Sequence, residues 1–444
     1  MLNAGAYAVN ITPFVGGPMA GYAAREHGSE GIHDDLHAKA LVLADGNQEV
    51  ALVTSDLIGV GEELVEEVRR IVQKSVGISQ DRVWICASNT HFGPKVQRNR
   101  LTDEKYDAFA NAYFDVLAQK MATAIRLAHD RMAPACVGSG SISAEGISYN
   151  RRLIRDNGKV EMSPTLPPPY DGLSFGPVDS EVSVLKVVGA EEGDAIATLV
   201  NFACRPVSST DHMYEISADY PGYAMKLIEQ TEGGVCLFAL GCAGNIVPIQ
   251  RQGRSKRKLG LSLGGVALKA LQWIETTDDA PIRAARKEIE LPLREFSESD
   301  EMQNNTDVAR AELAAARGRQ AHQRELTELG ERLHVSEGML RWADRHERAT
   351  AQQTEIQCFW LGDIPLVGLP GEVFVELGMN VKAGIKKKPT FVLSLSNDAI
   401  GYVPIRQAFE DGGYEPTVSA LAPGCGEYLV EEALSLAAAA RDQG

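Results

Sequence analysis

The chain has 444 residues, 44% of them hydrophobic, and a formal charge of −16. It is long enough to bury a large core and too acidic for a nucleic-acid partner, whose phosphates demand clustered Lys and Arg. Seven cysteines, Cys86, Cys136, Cys204, Cys236, Cys242, Cys358 and Cys425, are odd in number and mostly set among apolar neighbours, as free thiols of a reducing compartment are.

The opening stretch MLNAGAYAVNITPF has neither a basic nor an apolar leader segment, and no apolar run approaches membrane-spanning length. Both features predict a cytoplasmic protein with no membrane partner. Short β-like runs then alternate with helical ones: ALVLAD (40–45), VALVTSDL (50–57), EELVEEVRRIVQKS (62–75) and RVWICAS (82–88). Strand, helix and strand at this spacing predict an α/β fold with a mixed sheet flanked by helices. A helix over 104–128 carries Tyr106, Phe109, Tyr113, Val116, Leu117 and Met121 at helical intervals, which assigns these side chains to the core.

The texture changes at 156–178, DNGKVEMSPTLPPPYDGLSFGPV, where Pro and Gly predict a long irregular loop near the mouth of a site. Strands resume with VSVLKVV and AIATLVNFA, and a helix follows SADYPG, capped by Ser217 or Asp219 with Pro221 at an early position. The basic cluster Arg251, Arg254, Lys256, Arg257 and Lys258 reads as a solvated loop, and Lys386, Lys387 and Lys388 as the lead into a strand. Residues 299–352 form a charged helical hairpin. In it, Asn305 or Thr306 caps a helix with Leu326, Leu329 and Leu333, and Met339, Leu340 and Ala343 begin its antiparallel partner. Such an arm is solvated or serves homo-oligomerisation. FWLGDIPLVGLPGEVFVELG and TFVLSLSND complete the chain's strand-like segments.

Polar residues collect at the ends of the apolar runs, where α/β enzymes gather their sites. They are Asp56 in VTSDL, Asn89 and His91 in SNTHFGP, Arg205 in NFACRP, Asn245 in LGCAGNIVP, Glu372 in GLPGEVF, and Asn397 and Tyr402 in LSNDAIGYVP. Taken singly, each is as well explained as a cap or turn former. His33 in GIHDD, with Asp34 to orient its ring, joins them; His212 reads as a turn residue.

Together and in this order, NITPFVGGPMAGY, GIHDDLHAKALVL, SNTHFGP, NFACRP, ISADYPGYAMKLIE, LGCAGNIVP, GLPGEVFVELG, SNDAIGYVPIRQAFEDGGYE and APGCGEYLVEEALSL resemble the N-terminal catalytic domain of the neutral (alkaline, non-lysosomal) ceramidases. The resemblance implies one large α/β domain over 1–440, with the 299–352 hairpin inserted and without the family's C-terminal immunoglobulin-like domain. It also implies histidines at the places of Asn89 and Arg205, which with the residues matching Glu372 and Tyr402 bind one zinc, and a serine nucleophile at the place of Val247. This sequence departs at all three places. An amide and a fixed cation are poor company for a metal, so no cofactor is expected; if a metal were held, His91, Glu372 and Tyr402 would be its ligands.

The expectation is therefore a hydrolase of a small polar, anionic substrate with an amide- or ester-type bond, acting by general acid/base chemistry. His91, Glu372 and Tyr402 are the catalytic candidates. Arg205, Asn89, His33, Asn245, Asn397 and Asp56 are the substrate-binding candidates. Arg205 either pairs with Glu372 or faces outward to an anion. The alternatives are a catalytically silent ligand- or partner-binding relative, and a lyase or isomerase on the same scaffold.

Overall fold

The computed structural model describes all residues except 23–24, 97–103, 164, 167–172, 210–211, 296–298, 322, 347–348 and 443–444. Side chains on successive strand residues point to opposite faces, so each strand has two faces to bury. The largest sheet takes eight strands, in the order Val235–Leu240, Ala195–Phe202, Glu181–Gly189, Ala133–Ser143, Asn3–Asn10, His37–Ala44, Glu49–Ser55 and Val83–Ala87. The outermost pair at each edge is parallel and the pairs between are antiparallel, so the sheet is mixed as the sequence predicts. Its end strands Val83–Ala87 and Val235–Leu240 touch one another, so the sheet is strongly curled.

One face of this sheet, with Ala40, Val53, Ile85, Val184, Val200 and Phe238, packs beneath the helices Glu62–Ser75, Glu104–His129, Asp219–Glu232 and Ser255–Leu271. The alternate residues Leu41, Leu52, Trp84, Leu185, Leu199 and Leu237 turn inward and meet Phe359, Leu366 and Phe391 of a second, four-stranded sheet. That sheet buries its other face, including Ile356, Trp360 and Val367, under the helices Val375–Ile385 and Cys425–Arg441. The layers run helices, sheet, sheet, helices. Each fully buried aliphatic side chain contributes roughly 1.5–3 kcal/mol, so the helix-covered faces and the inner double layer all stabilise the fold, the face under the four helices most of all. All seven cysteines are free thiols. Among the described residues, no helix is long and apolar enough to cross a membrane.

Four sequence expectations need correction, the first being Val116, which is 49% exposed on its helix rather than in the core. Within 156–178, Val160–Met162 and Leu173–Phe175 pair on either side of Arg152–Arg155 in a small sheet, because cross-strand hydrogen bonds are available even to a Pro-rich stretch; residues 164 and 167–172 lie outside the described residues. The hairpin helices are Ser299–Gly318 and Gln323–His346, so Leu326 and Met339 share one helix. Thr306 is interior to the first helix, with its hydroxyl on the Met302 carbonyl, and the chain reverses near Gln320, whose φ is 54°. The basic cluster is not a solvated loop either: Lys256, Arg257 and Lys258 belong to the helix Ser255–Leu271, and Lys256 is buried. Its aliphatic stem packs in the core while its ammonium lies 3.8 Å from the Phe92 ring centroid.

The segments that carry the candidate site are short connections held by this frame. Glu372–Val373 and Tyr402–Val403 form a two-residue parallel ladder in which Glu372 stands opposite Tyr402. Ile246–Pro248 pairs with Ser148–Asn150, which brings Gly244 and Asn245 beside Arg151.

Candidate active site

Asn89 follows the strand Val83–Ala87 with φ at 66°, a left-handed conformation that Asn adopts more readily than most residues. Its amide is fully used. Nδ2 donates to the Ile58 carbonyl at 2.7 Å, and Oδ1 accepts from Nε of Arg205 at 3.1 Å. Arg205 leaves the end of the strand Ala195–Phe202 and is buried. Its Nη1 donates to the Tyr402 hydroxyl at 2.5 Å and to the Gly244 carbonyl at 3.4 Å; its Nη2 forms an ion pair with Glu372 and lies 3.3 Å from Nε2 of His91. The expected Arg205–Glu372 pair is therefore present, and the same guanidinium also gathers Asn89, His91 and Tyr402.

A second guanidinium completes the cluster. Arg151 donates from Nε to Glu415 at 2.7 Å and from Nη2 to the Tyr402 hydroxyl at 3.1 Å. Glu415 is fully buried, shared between Arg151 and Arg152, and held below the usual carboxylate range by those two charges against the opposing effect of burial. Tyr414 packs edge-to-face on Tyr402. Burial raises the Tyr402 phenol above its ordinary range, although Arg205 and Arg151 both oppose this. It stays protonated, accepting from both arginines.

His91 differs from expectation. Burial, then the positive charges of Arg205, Arg251, Arg25 and Arg151, hold its pKa well below 6.5, so it does not titrate near neutrality as a general acid or base would. A guanidinium can only donate, so the neutral ring accepts at Nε2 and carries its proton on Nδ1. Nδ1 is buried and meets no protein partner among the described residues. The ring stands edge-on to Tyr22 at 5.2 Å and leaves no room at Gly21, where a Cβ would lie 2.4 Å from it.

Because the folded ring resists protonation, unfolded chains take up a proton near pH 6.5 that folded ones refuse until the pH is much lower. His91 therefore costs stability as the pH falls below about 6.5, by up to ~1.4 kcal/mol per pH unit. In urea unfolding, His91→Gln is expected to flatten this acid-side slope relative to the wild type; an identical slope would show that His91 is accessible to protons.

The other candidates stand apart from the cluster or are occupied. Asn245 accepts the Val375 N–H at 3.0 Å and donates to Glu376 at 2.9 Å, so its amide fixes the start of the helix Val375–Ile385 rather than facing a ligand. Asn397 bonds the Ile85 N–H and Gln357 at 2.8 and 2.7 Å, far along the inner sheet packing. Asp56 accepts the His37 N–H at 2.9 Å, and burial pushes its pKa up to about 7. With His33, it lines a different cavity of about 510 Å³ that also takes in Lys39 and Glu229. Asp34 spends its carboxylate on Ser217 and the Ala218 N–H, at the start of the helix Asp219–Glu232.

Sequence reasoning missed Arg151, Glu415, Tyr414, Tyr22 and Arg25. Arg25 reaches three backbone carbonyls, Ala20, His91 and Met213, and so fixes the loop that carries His91. The adjacent arginines in YNRRLIR were the available signal: two cations inside a strand-like stretch need buried partners. A cavity of about 350 Å³ is lined by Gly21, Ile58 and Ile400 among others but by no side chain of the cluster, in which 21% of the Glu372 side chain is exposed.

The comparisons with known proteins agree on a single family. Residues 3–240, more than half of the chain, match the model for "Neutral/alkaline non-lysosomal ceramidase, N-terminal". The chain is 27% identical over 230 residues to a neutral ceramidase of Mycobacterium tuberculosis and 26% identical over 239 residues to one of Pseudomonas aeruginosa. Those alignments cover 50% and 52% of this chain but only 34% of either relative. The crystal structure of the Pseudomonas aeruginosa neutral ceramidase superposes with a TM-score of 0.71 at 20% identity, covering all of this chain and 75% of that one. A structure described as ceramidase complexed with C2 superposes with 0.72 at 19%. The fold is that of these enzymes, and the chain belongs to the neutral/alkaline non-lysosomal ceramidase family.

Proposed function

We propose that this chain is a ceramidase-superfamily hydrolase that cleaves an amide- or ester-type bond in a small, polar, anionic substrate, without the family zinc. Family membership supports the hydrolase. The observation that carries the rest is the Arg205 guanidinium, which stands among Asn89, His91, Glu372 and Tyr402.

The donor set does not suit zinc. The places matching two nitrogen ligands hold an amide and a permanent cation, and Arg205 already occupies the carboxylate of Glu372 and the hydroxyl of Tyr402. A guanidinium about 4 Å from Zn²⁺ would be repelled by roughly 8 kcal/mol at an effective dielectric near ~20. That is comparable to much of the roughly 10–16 kcal/mol that an intact structural zinc site supplies. Val247, at the place of the family's serine, is buried against Tyr149 and Val207 and offers no hydroxyl.

An anionic substrate is supported by the two buried guanidiniums, Arg205 and Arg151, that meet at the Tyr402 hydroxyl. Arg205, Arg251, Arg25 and Arg151 all act on His91, and among the described residues Glu372 pairs with Arg205 and Glu415 with Arg151. In the reaction we envisage, Arg205 and Arg151 draw charge from the scissile carbonyl through the Tyr402 hydroxyl, and His91 holds the Arg205 guanidinium in place from the side. Glu372, partly exposed, takes the proton of the attacking water and returns it to the departing amine or alkoxide as the acyl bond breaks, leaving the acid and the free amine or alcohol. The neutral imidazole accepts a hydrogen bond from Arg205 and is not a proton shuttle.

The test is a hydrolysis screen with N-acyl amino acids and carboxylate esters in the presence of a strong zinc chelator. Turnover is expected to persist with chelator, to fall at least ~10²-fold in Glu372→Gln, and to show no histidine inflection between pH 6 and 8. Activity that the chelator abolishes and zinc restores would refute the reading.

A further inference from the structure

We propose a second binding site, for a phosphate group, in the cavity at the N-terminal end of the helix Ser255–Leu271. The cavity measures about 420 Å³ and is lined by His33, Ser209, His212, Glu215, Tyr223, Gly253, Arg254, Lys256 and Arg257. It is distinct from the Arg205 cluster, which contributes none of these residues.

Lys256 is the observation that points to a ligand. It is only 7% exposed, yet its ammonium makes no hydrogen bond or ion pair with any described residue. The Phe92 ring beneath it, at 3.8 Å, compensates one side of the charge only. An ammonium held at the cavity wall with no protein acceptor is costly to desolvate, and burial accordingly lowers its pKa, with Asp219 as the largest opposing influence. An anion in the cavity would supply the missing acceptor.

The surroundings suit a dianion. Arg254 and Arg257 line the same cavity from the exposed side, with no ion-pair partner among the described residues. Among the described lining residues Glu215 is the one carboxylate, and it lies 3.6 and 3.7 Å from the imidazoles of His33 and His212. The helix behind Lys256 is 17 residues long and presents its positive dipole end here. In a chain of net charge −16 this concentration of cations is a local inversion of sign. Phosphate fits it better than a carboxylate, because its oxygens can engage a buried ammonium, a helix terminus and two guanidiniums at once.

Isothermal titration of the full chain with inorganic phosphate is expected to show one saturable site, with chloride at matched ionic strength giving no comparable heat. Lys256→Met, which keeps the apolar stem, should weaken binding about tenfold or more, and the surface double variant Arg254→Gln/Arg257→Gln should do so as well. Non-saturable heats, or a folded Lys256→Met that binds as the wild type does, would overturn the site. If Lys256→Met does not fold, unchanged affinity in the arginine double variant does the same. Two further probes identify the source of the phosphate. Competition by glycerol 3-phosphate without retention on phosphatidic-acid vesicles assigns a soluble ester, whereas retention on vesicles that free phosphate reverses assigns a lipid headgroup. Binding of neither probe overturns a phosphate-ester ligand.

Discussion

Asn89→His/Arg205→His is expected to acquire one zinc ion per chain, while the wild type purified alongside it carries none. The double change removes the repelling cation and supplies two imidazole nitrogens next to Glu372 and Tyr402, which already face each other across a two-residue ladder. Histidine, like asparagine, tolerates the left-handed backbone that position 89 requires. The Asn89 bond to the Ile58 carbonyl is lost, a cost of about 1 kcal/mol that metal binding easily offsets. Elemental analysis after dialysis reads the result directly. A folded double variant that stays free of metal would mean that the frame around the site has drifted beyond zinc geometry. Stoichiometric zinc in the wild type would overturn the assignment of Arg205 to the metal's place.

Arg205→Ala is expected to be the most destabilising single change in the site, by about 3–5 kcal/mol in urea unfolding. Removing one member of a buried ion pair strands the other charge, and here Asn89, Tyr402 and His91 lose a partner too. Arg205→Lys should recover only part of the loss, since one ammonium cannot reproduce the planar set of donors that reaches Asn89, Tyr402 and Glu372 from different nitrogens. A loss below ~1 kcal/mol for Arg205→Ala would indicate that solvent already reaches the pair.

Much of the fold was legible because its signals are local. The helix over 62–75 was bounded by its apolar spacing and by the turn after it, and the structure has it as Glu62–Ser75. The second sheet was not legible as a facing layer. Strands such as Ala351–Leu361, buried on both sides for most of their length, read only as apolar runs, and periodicity cannot say what covers them. In the site, the pairing of Arg205 with Glu372 could be anticipated, because two charges at strand ends of one pocket have few other ways to be satisfied. Asn245 and Asn397 misled for a physical reason: an asparagine that binds ligand and one that secures a neighbouring backbone have the same sequence signature. Arg151 was missed because its partner Glu415 lies far along the chain, on the short helix Tyr414–Val418, against which the hairpin helix Gln323–His346 rests.

The cluster draws Asn89, His91 and Arg205 from connections of the eight-stranded sheet, and Glu372 and Tyr402 from segments that flank the four-stranded one. The guanidinium thus works as one rivet among several polar ties between the two halves, beside the Arg69–Glu355 pair and the bonds of Asn397 to Ile85 and Asn201 to Val392. A metal rivet can be stolen by a stronger chelator; this one is encoded in the chain and cannot leave.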